Sequence, residues 1–381
     1  MQTMRGKYNS ANIFIDTELE STTRSQIQNF LNHPAFKKGY IAIMPDAHAG
    51  AGAVIGFTQN LKNNDYIIPN VTGVDIGCGV LSYNIGNVDA DWKSLDEFIR
   101  KNIPSGFNVR NKVPHTSYGG HSYREFKTKI EQLSEKIGSD AERNKKSLGT
   151  LGGGNHFIEG GMDEHEDKWI TVHTGSRKFG LDVAVYHQKK AKKLMEKMFI
   201  ATGAFKELEF LPRDMGGEEY LADMKIAQKF AEYNRFIILD EIIKYLGVEI
   251  KEKVESVHNC IDFSDNIIRK GAIRAYKGEK IVIPFNMEFG LIIGEGKSNS
   301  KWNYSAPHGA GRILSRGRAK RELKMADFVN DMKGIYTTSV KNTTLDESPR
   351  AYKNPQIIID AIEETVEITN NVKPEYSFKS G

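Results

Sequence analysis

Val71-Thr72-Gly73-Val74-Asp75-Ile76-Gly77-Cys78-Gly79-Val80 follows a short apolar run, Tyr66-Ile67-Ile68-Pro69, that reads as a strand entering a tight turn. Gly73, Gly77 and Gly79 let the backbone bend and approach a ligand with no Cβ in the way. Among them stand a carboxylate, Asp75, and a thiol, Cys78, a hard and a soft metal ligand able to face one ion. Alone, so short a motif is more often a glycine-rich turn with a half-buried cysteine. The company it keeps along the chain decides.

Upstream, Tyr40-Ile41-Ala42-Ile43-Met44 reads as a buried strand stopped by Pro45. It delivers Asp46-Ala47-His48-Ala49-Gly50, another carboxylate and imidazole among small residues at a strand end, where chemistry is commonly placed. Downstream, Leu151-Gly152-Gly153-Gly154-Asn155-His156-Phe157-Ile158-Glu159 suggests a backbone laid against a phosphate or a metal-bound ligand. It lacks the Lys-Ser/Thr ending of a P-loop and the spacing of a dinucleotide fingerprint. Trp169-Ile170-Thr171-Val172 reads as a strand running into His173-Thr174-Gly175-Ser176-Arg177, whose arginine has the forked geometry that suits phosphate. Val254–Phe263 is strand-like with His258 inside it, the usual place of a satisfied core histidine. In Ser305-Ala306-Pro307-His308-Gly309-Ala310-Gly311-Arg312 an imidazole between proline and glycine precedes Arg312 and Arg316. Such a histidine is placed to react when an anion is bound beside it.

Between these segments the periodicities predict further strands over 12–15, 267–276 and 280–284, with a turn near Lys277-Gly278. Helices are predicted over 21–31, 91–102, 121–147, 181–199, 217–246 and 355–370. In 217–246 the stripe Ile226, Phe230, Tyr233, Ile237, Ile238, Ile242 and Tyr245 reads as core. The lysines of 181–199 fit a solvated face at least as well as an RNA contact.

With 381 residues, 39% hydrophobic and 27% charged, the chain is long enough for a sizeable core and is not of disordered composition. No apolar run approaches the roughly 20 residues of a membrane helix. The polar N-terminus does not read as a signal peptide, so the expectation is a cytoplasmic protein without a membrane partner. Two cysteines make no disulfide framework and suit a reducing compartment. A net charge of +4 permits an anionic partner without demanding one.

Half of the ten histidines (His48, His156, His173, His258 and His308) fall in segments of one grammar: histidine beside glycine or at a strand end, with Asp, Cys, Asn, Glu or Arg close by. Asp75, Cys78, His156, His173 and His258 form the ligand set of a divalent metal centre. One thiolate that can bridge makes two ions possible. By ligand chemistry alone manganese, zinc and iron all fit.

These blocks, together with Met44-Pro45-Asp46-Ala47-His48 and His258-Asn259, closely resemble the RtcB family of RNA ligases, in family order from residue 40 to the C-terminus. The resemblance implies an α/β (α+β) fold: one catalytic domain over 1–381, central sheets flanked by helices, and the metal cluster at strand ends and loops. It implies GTP- and Mn²⁺-dependent sealing of RNA 3′-phosphate or 2′,3′-cyclic phosphate ends to 5′-hydroxyl ends, in tRNA splicing or RNA repair. An archease-like activator is a possible partner. Asp75, Cys78, His156, His173 and His258 would hold two Mn²⁺, with Cys78 bridging. His308 would take GMP from GTP; Asp46 belongs to the same catalytic set, as do Arg177 and Arg316, which fall where the family binds phosphate. Asn155 would hold phosphate, Glu159 the guanine edge, and Tyr352 and Lys379 the base.

The departures from the family pattern concern the base pocket. Ile283-Pro284-Phe285-Asn286-Met287-Glu288-Phe289-Gly290 stands where the family carries Gly-Ser-Met-Gly, and a serine that helps bind guanine is replaced near Gly290 or Leu291. The ending Phe378-Lys379-Ser380-Gly381 carries one residue more than the family's Lys-Gly. The chain is short for the family, as a divergent bacterial paralogue would be. The alternatives are a metal-dependent nucleotidyltransferase or phosphoesterase of other nucleotide preference, and an RNA-binding relative without ligase activity.

Overall fold

A computed structural model describes residues 1–380 apart from 16–18, 117, 119, 199 and 201–205. Two main sheets carry the fold. The first has six strands in the order Gln2–Arg5, Ser10–Ile13, Ile41–His48, Ile55–Asn60, Ile267–Lys270 and Asn259–Asp262. The second has seven, in the order Glu252–Val257, Gly79–Gly86, Lys168–Thr174, Phe157–Met162, Val366–Lys379, Gly290–Gly296 and Lys280–Asn286. Helices pack against them, and the chain is a mixed α/β protein.

Gly79–Gly86 is buried at all eight positions, as a strand covered on both faces should be. Its antiparallel pairing with Lys168–Thr174 sets Val80 opposite His173, and Phe157 lies opposite His173 on that strand's other side. On its outer edge Gly79 faces Val257. Register therefore brings Cys78, His156, His173 and His258 to one end of the sheet, since each is at or one residue beyond a paired position.

The helix Gly217–Leu246 has the predicted bounds and buries Phe230, Tyr233, Ile237, Ile238 and Ile242. Tyr245 departs from the stripe: it stays 43% exposed and stacks on Phe98. The helix also fastens the site's loops. Asn234 Nδ2 donates to the carbonyls of Thr150 and Gly175, each at 3.0 Å. Arg235 Nη1 donates to the carbonyls of Gly77 (2.7 Å) and Thr174 (3.1 Å), and its charge is met by Glu255. Removing one partner of so buried an ion pair costs about 3–5 kcal/mol.

Several predicted elements come out differently. Pro45 does not stop its strand; Ile41–His48 runs through it, with the ladder irregular between Ile43 and His48 because proline brings no N–H. The first strand candidate lies at Ser10–Ile13 rather than 12–15. The helix 121–147 splits into His121–Ile137 and Ala141–Lys146, because Gly138 ends the first in a left-handed conformation and Asp140 caps the second. The 181–199 helix spans Arg177–Lys197, and Phe199 lies outside the described residues. Gly271, at φ +60°, divides 267–276 into Ile267–Lys270 and Ala272–Arg274.

The largest difference is at the C-terminus. The predicted helix 355–370 ends at Ala361, and Val366–Lys379 is a 14-residue strand. The alternation Val366-Glu367-Ile368-Thr369 has the period of a strand, and its β-branched residues favour one. This strand joins Phe157–Met162 to Gly290–Gly296 and carries Lys379 into the interior.

Candidate active site

Four segments deliver five side chains to a single cluster, Asp75 and Cys78 coming from the same turn. Cys78 Sγ lies 3.2 Å from Nε2 of His173 and 3.6 Å from Nε2 of His156. His156 Nε2 is 3.0 Å from Asp75 Oδ2, and His173 Nε2 is 3.2 Å from His258 Nε2. The ligand atoms of Cys78, His173 and His258 lie within 4.8 Å of one another, and so do those of Asp75, Cys78 and His156. Cys78 belongs to both groups.

His258 is not inside one strand. Glu252–Val257 belongs to the seven-stranded sheet and Asn259–Asp262 to the six-stranded one, so His258 stands where the chain crosses between sheets. His156 Nδ1 donates to the Leu151 carbonyl at 2.9 Å, which leaves its Nε2 lone pair facing the thiol and Asp75. Asp75 Oδ1 accepts from the Ser176 backbone N–H at 3.1 Å.

Burial pushes the pKa values of His173 and His258 well below the ordinary imidazole value, so both rings are neutral. Burial, followed by the nearby charge of Asp75, pushes the Cys78 thiol well up. Without a cation, one of the two facing Nε2 atoms must hold a proton between them. With one, both lone pairs and the sulfur point at a single positive charge, which also favours the thiolate. The donor set fits a divalent metal.

Next to this cluster the rings of His258 and His308 have centroids 4.8 Å apart. His308 Nδ1 lies 2.6 Å from Oδ2 of the fully buried Asp46. A carboxylate accepts, so the proton sits on Nδ1 and Nε2 keeps its lone pair. His48 donates from Nδ1 to the Asp46 carbonyl at 3.0 Å, and burial lowers its pKa to about 4.

His308 opens on a cleft of about 770 Å³, a space that includes open solvent. Asn155, Glu159, Tyr352 and Lys379 all line it, as do Phe285, Asn286 and Met287 from the segment that departs from the family pattern. Lys379 Nζ pairs with Glu347 Oε2 at 2.7 Å, and Tyr352 donates its hydroxyl hydrogen to the same oxygen at 2.8 Å. Arg316 Nη1 reaches Glu347 Oε1 and Asp346 Oδ2, each at 2.6 Å. Burial alone would raise Glu347, but the charges of Lys379 and Arg316 hold it at about 2. Burial pushes Glu159 up to about 8 against the pull of Lys379, and its Oε1 has no hydrogen-bond partner among the described residues.

Arg177 stands on the Asp75 side of the site. It lies in an adjoining groove with Asp75, Gly153, Gly154 and Arg316, donating from Nη2 to the Gly106 carbonyl at 2.7 Å. Arg316 lines both the cleft and this groove.

Three features escaped the sequence reading. Glu347 has neither histidine nor glycine beside it, and its only signal is an acidic pair, Asp346-Glu347, shortly before Tyr352. Asn234 and Arg235 were visible as polar residues inside an apolar stripe. Ser377 gave no signal.

Comparison with known proteins supplies the class first: the chain is a ligase enzyme. The family profile described as tRNA-splicing ligase RtcB matches residues 26–380, and the chain belongs to the RtcB family. It is 29% identical over 385 residues to the RNA-splicing ligase RtcB1 of Escherichia coli strain ATCC 25922, covering 92% of each chain. It is 28% identical to the tRNA-splicing ligase RtcB of Nanoarchaeum equitans, over 94% of this chain and 90% of that one. Against the tRNA-splicing ligase RtcB of Aeropyrum pernix the identity is 30%, with 83% and 82% covered.

Proposed function

We propose that the chain, as one catalytic domain over 1–381, joins RNA ends carrying a 3′-phosphate or 2′,3′-cyclic phosphate to 5′-hydroxyl ends, with GTP as co-substrate. The observation that carries this reading is His308: its Nδ1 is tied to buried Asp46, its ring lies against His258 of the thiol-imidazole cluster, and it lines the cleft shared by Asn155, Glu159, Tyr352 and Lys379.

Asp46 fixes the tautomer, so His308 Nε2 attacks the α-phosphorus of GTP; a P–N bond forms, the bond to the β-phosphate oxygen breaks, and pyrophosphate leaves. Asp75, Cys78, His156, His173 and His258 would hold two Mn²⁺, which supply positive charge against phosphate oxygens. A 3′-phosphate oxygen of the RNA then displaces the histidine, taking GMP, and a cyclic end is opened by water beforehand. The 5′-hydroxyl attacks the activated phosphorus, loses its proton, and GMP departs. Arg316 is positioned to hold phosphate where cleft and groove meet, and Arg177 to hold it on the Asp75 side. Glu159, Tyr352, Lys379 and Asn155 hold the nucleotide. The setting is cytoplasmic tRNA splicing or RNA repair, with an archease-like activator as a partner.

The test is incubation with Mn²⁺ and α-labelled GTP, followed by a denaturing gel beside His308→Ala. An acid-labile label on the wild type alone is the expected result. Equal labelling of both proteins overturns the assignment of His308. Labelling by ATP and not GTP keeps the transfer chemistry but replaces the nucleotide.

A further inference from the structure

Among the buried polar atoms of the cleft without a partner among the described residues, two are neighbours. Ser377 and Glu159 lie directly opposite each other in the pairing of Val366–Lys379 with Phe157–Met162. Both residues line the cleft. Ser377 is 1% exposed and Glu159 5%, and neither Ser377 Oγ nor Glu159 Oε1 makes a hydrogen bond among the described residues. Two residues further along the same face of the strand comes Lys379, opposite Phe157.

Unpaired buried polar atoms are unfavourable, and native interiors hold few of them without a reason. Burial at this strand position would serve the fold as well with alanine at 377. The hydroxyl has use only if something entering the cleft pairs with it. The surrounding chemistry says what that is. Glu159 offers an acceptor, Lys379 a donor, and Ser377 between them a group that both donates and accepts. Phe157 and Tyr352 line the same cleft and supply flat apolar surface. An acceptor followed by donors matches a heterocycle edge that presents a ring N–H next to a carbonyl, as a 6-oxopurine does. A 6-aminopurine offers an amino donor and a bare ring nitrogen in those places.

We infer that Ser377 is a base-reading residue: its Oγ–H donates to the carbonyl oxygen of a 6-oxopurine nucleotide whose N–H is accepted by Glu159. The inference rests on the proposed nucleotide transfer and adds to it the residue that selects the base.

Three measurements on wild type and Ser377→Ala test it: melting temperature without ligand, the melting-temperature rise with GTP in the absence of metal, and His308 labelling with GTP, ITP and ATP. Loss of an unpaired hydroxyl should leave the unliganded melting temperature unchanged or higher. The rise with GTP should shrink, and apparent affinity for GTP and ITP should fall about tenfold, the effect of one hydrogen bond. Labelling at saturating GTP should be unchanged, and ATP should be used no worse than before. A lower unliganded melting temperature with unchanged GTP affinity assigns Ser377 to the fold and overturns the inference. If wild type labels with GTP and the variant matches it at every concentration, the inference fails and the proposed transfer stands. If wild type takes label from no nucleotide, both fail together.

Discussion

Nδ1 of His308 lies 2.6 Å from Oδ2 of Asp46, across 262 positions of sequence. The contact decides which nitrogen is the nucleophile. In Asp46→Asn the amide can donate where the carboxylate accepted, favouring the tautomer with the proton on Nε2. Labelling of His308 should slow by about 10²- to 10⁴-fold, as in other carboxylate–histidine pairs, with little change in GTP affinity. A single-turnover time course measures both. An unchanged rate would mean Asp46 only packs.

Cys78 stands in both ligand groups, so its loss should affect two sites rather than one. Cys78→Ala is expected to lower bound manganese from about two per chain to less than one, and to abolish labelling. Elemental analysis after dialysis gives the first number. Retention of two ions would show that each half of the cluster holds its ion without the sulfur.

How much of this was legible varied with how local the information was. Asp75 and Cys78 could be read because both ligands lie on one short glycine turn. His173 could be read because a strand pattern runs straight into it. The place of His258 at a crossing between two sheets could not be read, because such a crossing and a strand interior look alike in a run such as Val254–Phe263. The pairing of Ser377 with Glu159 depends on register between segments over two hundred residues apart, which no local periodicity encodes. Glu347 is recognisable only once Lys379, Arg316 and Tyr352 surround it. At the C-terminus one helix was read over 355–370, across the change of period that separates the helix Pro355–Ala361 from the strand Val366–Lys379.

Glu159 gives a prediction about pH. Its carboxyl titrates at about 8 in the folded chain, against 4.5 for the free group. Below the lower value both states are protonated and stability does not depend on this group. Between the two values the unfolded chain releases a proton that the folded chain keeps, so stability falls as pH rises; above the upper value the loss is complete. Glu159→Gln should remove this slope. Without nucleotide or metal, its melting temperature should match wild type near about pH 5 and exceed it by a few degrees near about pH 8. Parallel curves across that range would mean the carboxylate is solvated.

Lys379 is 6% exposed, and its amine faces both Glu347 Oε2 at 2.7 Å and the Asn155 carbonyl at 3.4 Å. The extra residue at the chain end has therefore not carried the lysine out of the cleft. In Lys379→Ala the carboxylate of Glu347 keeps Arg316 and Tyr352, so the fold should survive. The cleft would lose the charged donor that stands beside Glu159 and Ser377. Apparent affinity for GTP should fall by roughly 10- to 100-fold, the range for a hydrogen bond to a charged group, while transfer from labelled His308 to RNA and final sealing keep their rates. Initial labelling rates over a range of GTP concentrations, then a chase of labelled enzyme with RNA, separate the two. An unchanged affinity with slower transfer would place the lysine at the RNA phosphate instead of the base.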